Sequence, residues 1–162
     1  ASRELGFHVL HDTAWHTTGT RGKTMTLRRV DPAGMVAHAS LSWLAPKELH
    51  PERSMAEFRR DVAQAVGDSL AGIASDEQFV NRHGCRVMRV VAQGEVEGVA
   101  VEWHAYLLAP PEDRPDGDRL AITFTIEASE LERLAGEDHQ LVDRIQLMEG
   151  ATRTAVAPSS TR

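Results

Sequence analysis

The fold is decided by two stretches, VAVEWHAYLLA at residues 99–109 and RLAITFTIE at residues 119–127. In the second stretch, apolar side chains alternate with small or hydroxyl-bearing ones, as in a strand that buries one of its faces. The segment between the two contains Pro115-Asp116-Gly117, a sequence typical of a hairpin loop. The two stretches therefore predict a pair of antiparallel strands.

Further strands are predicted on the N-terminal side of this pair. They cover residues 7–15, 23–30, 35–44 and 86–93, with turns predicted at 17–22 and 31–34. Because hairpins rather than helical crossovers join neighbouring strands, the sheet should be antiparallel. This order of elements excludes a doubly wound nucleotide-binding fold.

Two Ser-x-x-Glu sequences, at 54–57 and 129–132, match the capping box that opens a helix. Apolar residues at three-and-four spacing follow the first box and predict an amphipathic helix reaching Ile73. The second box predicts a short helix, and Asp138 is expected to cap another turn and a half after it.

These elements predict an α+β protein with a twisted antiparallel sheet of about six to seven strands packed by two helices. A length of 162 residues suits a single domain with a core of its own. We expect that domain to span residues 5–148. Residues 149–162 have no hydrophobic periodicity and are expected to form a flexible tail.

Composition limits the classes of partner. The formal net charge is −6, whereas a nucleic-acid-binding module needs a concentrated basic surface, so we expect no nucleic-acid partner. No apolar run reaches the roughly 18 residues that a membrane-spanning helix needs, so we expect no membrane span in this chain. The sequence begins with Ala1 rather than Met, so an export signal could have been removed, and localisation stays open.

The single cysteine, Cys85, excludes an internal disulfide and a cysteine-rich metal site. Its neighbours Arg86 and Arg89 would lower the thiol pKa if they lay close to it, which would favour a reactive thiol. The favoured interpretation is a small apolar core residue at the start of a strand.

The order of elements resembles the Mog1/PsbP-like α/β/α sandwich, a group that includes envelope proteins of the DcrB and LpqN kind. The likeness covers roughly residues 7–148. The segments that carry it are Trp15, residues 55–58, residues 98–106, residues 119–125 and residues 138–145.

The resemblance implies an adaptor rather than an enzyme. Members of the group support a photosystem, bind a small GTPase or are anchored by lipid in the cell envelope. No shared set of catalytic residues accompanies the fold, so the resemblance assigns no catalytic residue to this chain.

A candidate ligand-binding site follows from the alternation in residues 99–109. Glu102, His104 and Tyr106 share one face of that strand, and His38 occupies the polar phase of an earlier strand. If the strands are neighbours, these four residues meet on one polar sheet face, which could hold a small polar ligand or a metal ion. The favoured alternative is that this face binds no ligand and is either solvated or half covered by the C-terminal helix, with its polar groups bonded to one another.

No motif in the sequence names a reaction. There is no Gly-x-Ser-x-Gly elbow and no phosphate-binding loop, so no catalytic residue, cofactor or defined metal site is predicted. The main hypothesis is a non-enzymatic accessory domain that binds a protein partner of unknown identity, in a larger or envelope-associated assembly. The alternative hypothesis is a small-ligand or metal-binding module that uses the polar face.

Overall fold

The computed structural model describes residues 7–9, 15–21, 24–44, 53–112 and 117–147. Strands and helices occupy most of these residues. In chain order these residues form β1 (Phe7–Val9), β2 (Trp15–Arg21), β3 (Thr24–Asp31), β4 (Gly34–Leu44), α1 (Met55–Val66), β5 (Leu70–Val80), β6 (Arg86–Val96), β7 (Val99–Ala109), β8 (Arg119–Glu127), α2 (Leu131–Leu134), α3 (Glu137–Asp143) and β9 (Ile145–Leu147). The predicted domain boundaries at residues 5 and 148, and the predicted tail, lie outside the described residues.

Seven of the described strands form one antiparallel sheet in the order β2-β3-β4-β8-β7-β6-β5. Neighbouring strands in this sheet are consecutive in the chain and pair as hairpins, except for β4 and β8, and α1 lies between β4 and β5 in the chain. The short strands β1 and β9 pair with each other in a separate two-stranded sheet. The predicted fold class, an antiparallel α+β sheet of six to seven strands, is confirmed.

Helices pack on both faces of the main sheet. Phe58 and Val62 of α1 bury their side chains against Val90 and Ala105 on one face, which we call the α1 face. On the opposite face, called the α3 face, Leu141 and other residues of α2, α3 and β9 join a larger core. The result is three layers, with the sheet between helices.

The start of α1 agrees with prediction, but its end does not. The Ser54 side chain accepts a hydrogen bond from the Glu57 backbone N–H, and the Glu57 carboxylate accepts one from the Ser54 N–H. The helix then stops at Val66, because Gly67 adopts a positive φ of 70° that ends the helical backbone. The expectation of a helix to Ile73 was wrong, since Leu70–Val80 is the edge strand β5.

The N-terminal strands also differ from the prediction. Residues 7–15 do not form a single described strand: β1 covers Phe7–Val9, and β2 begins at Trp15. The turn expected at 17–22 was wrong, because β2 continues through it to Arg21 and is paired with β3. Thr and Gly residues in this segment fit a strand that has a β-bulge between Thr17 and Gly19.

Two predicted helix caps near the C-terminus were wrong. Ser129 lies within a 3-10 turn, Ala128–Glu130, so its backbone is already turned and lacks the extended conformation of an N-cap. Gly136 rather than Asp138 precedes α3, in a left-handed conformation. Asp138 is instead 1% exposed, inside the protein.

Cys85 is buried and free, with an exposed fraction of 1%. It belongs to the core of the α3 face, where its thiol lies near the Ile145 carbonyl. Its burial supports the interpretation as a core residue.

Candidate functional site

The predicted site residues of β7 share one face, as expected from the strand alternation. Glu102, His104 and Tyr106 all project onto the α3 face, where α3 covers them. On the neighbouring strand β6, Arg89 lies opposite Tyr106, and Gln93 lies opposite Glu102. His104, Tyr106 and Arg89 reach Asp138 of α3, whereas Gln93 donates a hydrogen bond to Glu102.

The His104 imidazole lies between two carboxylates. Its Nδ1 is 2.7 Å from Asp138 Oδ2, and its Nε2 is 2.9 Å from Glu102 Oε1. The residue is 6% exposed. Since each ring nitrogen faces an acceptor oxygen, the protonated imidazolium donates both hydrogen bonds.

Tyr106 connects the same carboxylate to an arginine. Its hydroxyl donates a 2.7 Å hydrogen bond to Asp138 Oδ2 and accepts a 2.9 Å bond from Arg89 Nε. The guanidinium carbon of Arg89 also lies 5.6 Å from the centroid of the Tyr106 ring, a cation–π distance. On its outer side, Arg89 Nη1 is 3.6 Å from Glu77 Oε1. We call these residues the charged cluster: Glu77, Arg89, Glu102, His104, Tyr106 and Asp138.

The environment shifts the pKa values of Asp138, His104 and Tyr106 in the charged cluster. Burial opposes ionisation of Asp138, but hydrogen bonds from His104 and Tyr106 outweigh it and hold the pKa at about 2. Burial also disfavours the charged form of His104, yet its bonds to Asp138 and Glu102 raise the pKa above the ordinary 6.5. Burial and the adjacent Asp138 charge raise the pKa of Tyr106 well above 10.0.

This geometry favours a role in stabilising the fold over a role in metal binding or proton transfer. Both nitrogens of His104 are bonded to carboxylates, so neither offers a lone pair to a metal ion or a substrate proton. In the part of the chain that the structure describes, no three His, Cys, Asp or Glu side chains are placed to hold a metal. What the charged cluster does is join β6 and β7 to α3.

The predicted meeting of His38 with the β7 residues was wrong. His38 pairs with Thr125 of β8, which pairs in turn with Trp103, so all three side chains lie on the α1 face. Glu102 and His104 lie on the other side of the sheet. A ligand-binding role for Glu102, His104 and Tyr106 stays a prediction, but His38 belongs to a separate surface.

That separate surface is a row of side chains that crosses five strands. Cross-strand pairs place His16 beside Arg28, Arg28 beside His38, His38 beside Thr125 and Thr125 beside Trp103. His16, Arg28 and His38 are exposed, and Trp103 packs at the margin of the α1 core. Partial desolvation by its neighbours and the nearby Arg28 charge lower the pKa of His38, so the neutral imidazole predominates at pH 7.

Hydroxyl groups fill the next rows of the same face. Thr26 pairs with Ser40, and Ser40 pairs with Thr123. Thr26 and Ser40 are exposed, which indicates that no described element covers them. We call this surface the open half: His16, Thr24, Thr26, Arg28, His38, Ser40, Ser42, Thr123 and Thr125. The register of β4 and β8 places His38, Ser40, Ser42, Thr123 and Thr125 on this one face.

Sequence reasoning missed Asp138 and Arg89, the central acceptor and donor of the charged cluster. Asp138 follows a glycine in a helical segment, which suggested a cap. The available signal was the pattern of apolar residues: Leu134, Leu141 and Val142 are buried, and Asp138 lies on the helix face between them. Helical spacing therefore placed a carboxylate toward the core, where it needs a partner.

Comparison with known proteins supports the fold. No protein-family model matches this chain, and no curated protein matches it in sequence. Among solved structures, LpqN of Mycobacterium tuberculosis, described as involved in cell envelope biogenesis, matches with a TM-score of 0.56 at 11% identity, over 88% of this chain and 83% of LpqN. This chain has the LpqN-like fold.

Two further structures share the architecture. Protein PA94 of Pseudomonas aeruginosa, described as a protein of unknown function and a candidate regulator, matches with a TM-score of 0.51 at 16% identity, over 89% of this chain and 88% of that one. A Bacteroides thetaiotaomicron protein matches with a TM-score of 0.55 at 11% identity, over 91% of this chain. The match spans 47% of the Bacteroides chain.

Among the described helices, none is both long enough and apolar enough to cross a membrane.

Proposed function

We propose that this chain is a non-enzymatic accessory domain whose open half binds a protein partner. The observation that carries the proposal is the cross-strand row His16, Arg28, His38, Thr125 and Trp103. It combines an arginine, an aromatic ring and hydrogen-bonding groups on an exposed face. Arginine and aromatic residues are enriched where proteins recognise one another.

The chemistry of the open half favours an acidic segment of the partner. Arg28 is exposed, and its in-register neighbours are imidazoles rather than carboxylates. A guanidinium binds carboxylates with two parallel hydrogen bonds, which fixes the orientation as well as the position of the bound group. The surrounding Ser and Thr hydroxyls donate and accept hydrogen bonds, so they suit the polar backbone of such a segment.

The absence of enzymatic activity is part of the same proposal. His104, the best-placed general acid or base, has both nitrogens bonded within the charged cluster and is nearly inaccessible. By analogy with LpqN, we propose that the domain acts within a larger, envelope-associated assembly. The analogy rests on the fold alone.

Site-specific photo-crosslinking tests the proposal. A photoreactive amino acid replaces Ser40 in the open half, and in a matched control it replaces Gln64, which is exposed on α1. We expect irradiation in the protein's own cells to give one discrete protein adduct from position 40 and none from position 64. Equal adduct patterns from the two positions would contradict the proposal.

A further inference from the structure

Two histidines flank Arg28, the arginine of the open half. The sheet register places His16 of β2 opposite Arg28 of β3, and Arg28 opposite His38 of β4. Directly opposed residues of an antiparallel pair have Cβ atoms about 4.5–5.5 Å apart, so an imidazole lies beside the arginine on each side. All three residues are exposed. We call His16, Arg28 and His38 the basic triad.

The charge of the basic triad depends on pH. Arg28 stays positive throughout the physiological range, whereas histidine changes its charge between about pH 5 and 8. Partial desolvation and the adjacent Arg28 charge lower the pKa of His38 below its ordinary 6.5, so its neutral form predominates at pH 7. Acidification therefore adds positive charge to the triad on both sides of Arg28.

Other charged groups lie on the same face of the sheet. Glu127 of β8 is two residues from Thr125, the direct partner of His38, and it is exposed. On the half of the face that α1 covers, three charged side chains are bonded to one another: Arg53, Glu57 and Asp61. Among all these groups, Arg28 is the one whose charge lowers the pKa of His38.

A bound acidic group would be coupled to the charge of the imidazoles. An opposite charge within about 4–6 Å favours the charged form of a titratable group. A carboxylate held by the Arg28 guanidinium lies over the triad, where it favours protonation of the histidine on either side. Because such coupling is reciprocal, a carboxylate that promotes protonation must itself bind more tightly to the protonated protein.

We propose that the open half binds its acidic partner segment more tightly at acidic pH, because protonation of His16 and His38 adds two charges to that of Arg28. The inference rests on the proposed function and adds the regulation of that site. A site that relied on Arg28 alone would change little between pH 5.5 and 7.5. Over that range the arginine keeps its charge, and ordinary carboxylates stay ionised.

Fluorescence anisotropy with a rhodamine-labelled octa-aspartate peptide, at constant ionic strength, tests the inference on the whole chain. We expect the wild type to bind at least tenfold more tightly at pH 5.5 than at pH 7.5. In the double variant His16→Gln/His38→Gln, this ratio of dissociation constants should be at least threefold smaller. Glutamine keeps polar, hydrogen-bonding groups at both exposed positions but does not ionise.

Matched variants separate the basic triad from other titrating groups. His139→Gln removes an imidazole of α3, which stacks on Phe79 on the opposite side of the sheet. Glu127→Gln removes the exposed carboxylate on the same face as the triad. Both variants should keep the wild-type ratio between the two pH values. Arg28→Gln should weaken binding at both.

The outcomes distinguish failure of the regulation from failure of the site. Suppose that Arg28→Gln weakens binding, but that the wild type binds equally well at both pH values or the double variant keeps the full ratio. The inference is then overturned, and the proposed function stands. If the octa-aspartate peptide binds at neither pH, or binds Arg28→Gln as tightly as the wild type, both the inference and recognition of an acidic segment are overturned.

Discussion

The Tyr106 hydroxyl donates a 2.7 Å hydrogen bond to Asp138 Oδ2, which joins the sheet to the first turn of α3. The same oxygen lies 2.7 Å from His104 Nδ1. One buried carboxylate therefore holds two adjacent β7 side chains. Its removal should affect the whole attachment of α3.

Asp138→Asn should reduce the free energy of unfolding by about 3–5 kcal/mol, because it removes the most buried carboxylate of the charged cluster, which lies 2.7 Å from His104 Nδ1 and 3.8 Å from Arg89 Nη2. Urea denaturation measures the change. The control is Asp143→Asn on the same helix, which disrupts a more exposed pair with Arg82 and should cost about 1 kcal/mol or less. Similar losses for the two variants would show that the charged cluster has no special role in stability.

The pair His104–Asp138 should give stability a defined pH dependence. The pKa of His104 is raised in the folded state, so its contribution is complete below pH 6.5 and is lost as the pH rises through the folded pKa. The pKa of Asp138 is lowered from 3.8 to about 2, so its contribution is complete above 3.8 and is lost as the pH falls toward 2. The contribution of the pair should therefore be greatest between pH 3.8 and 6.5.

Denaturation of wild type and His104→Gln across this pH range measures that dependence. The stability difference between the two proteins should decline as the pH rises above 6.5. A difference that stays constant from about pH 5 to pH 9 would mean that His104 is not charged in the folded protein.

Tyr106 is the single tyrosine, so its ionisation can be followed directly by ultraviolet absorbance. Burial and the Asp138 charge raise its pKa above 10.0, so the folded protein should contain little tyrosinate at about pH 11. Adding urea at that pH should release the absorbance of tyrosinate. An ordinary titration near pH 10 before unfolding would contradict the buried geometry.

Gly94→Ala should destabilise the protein by about 2–4 kcal/mol, because it forces backbone to move. An added Cβ would lie 1.9 Å from the Ser69 carbonyl oxygen and 3.0 Å from a ring carbon of Trp103. Gly72→Ala is the matched control in the neighbouring strand, where a Cβ would meet nothing within 4 Å. Thermal unfolding should separate the two variants clearly, and equal midpoints would disprove the close approach.

Strong local patterns explain what the sequence could predict. The bounds of β7 and β8 follow from alternation, and the start of α1 follows from its capping box. Strand β5 was missed because Ala, Gly, Ser and acidic residues have weak strand propensity, and they continued the helical spacing of α1. Gly67 was the signal that the helix ends.

The site was harder to predict because it depends on register. Alternation correctly grouped Glu102, His104 and Tyr106 on one face of β7. It does not show which alternate set of β8 side chains lies on the same face of the sheet. A shift of one residue moves a whole set of side chains to the other face. The observed register places His104 opposite Phe124 and leaves Thr125 and His38 on the α1 face.

The most direct test of the proposed function is charge reversal in the crosslinking experiment from position 40. Arg28→Glu replaces the cation of the open half with an anion, and Arg60→Glu makes the same change on the exposed surface of α1. We predict that Arg28→Glu lowers the adduct yield at least tenfold and that Arg60→Glu leaves it unchanged. An undiminished adduct with Arg28→Glu, or an equal loss with both variants, would contradict binding of an acidic partner segment at the open half.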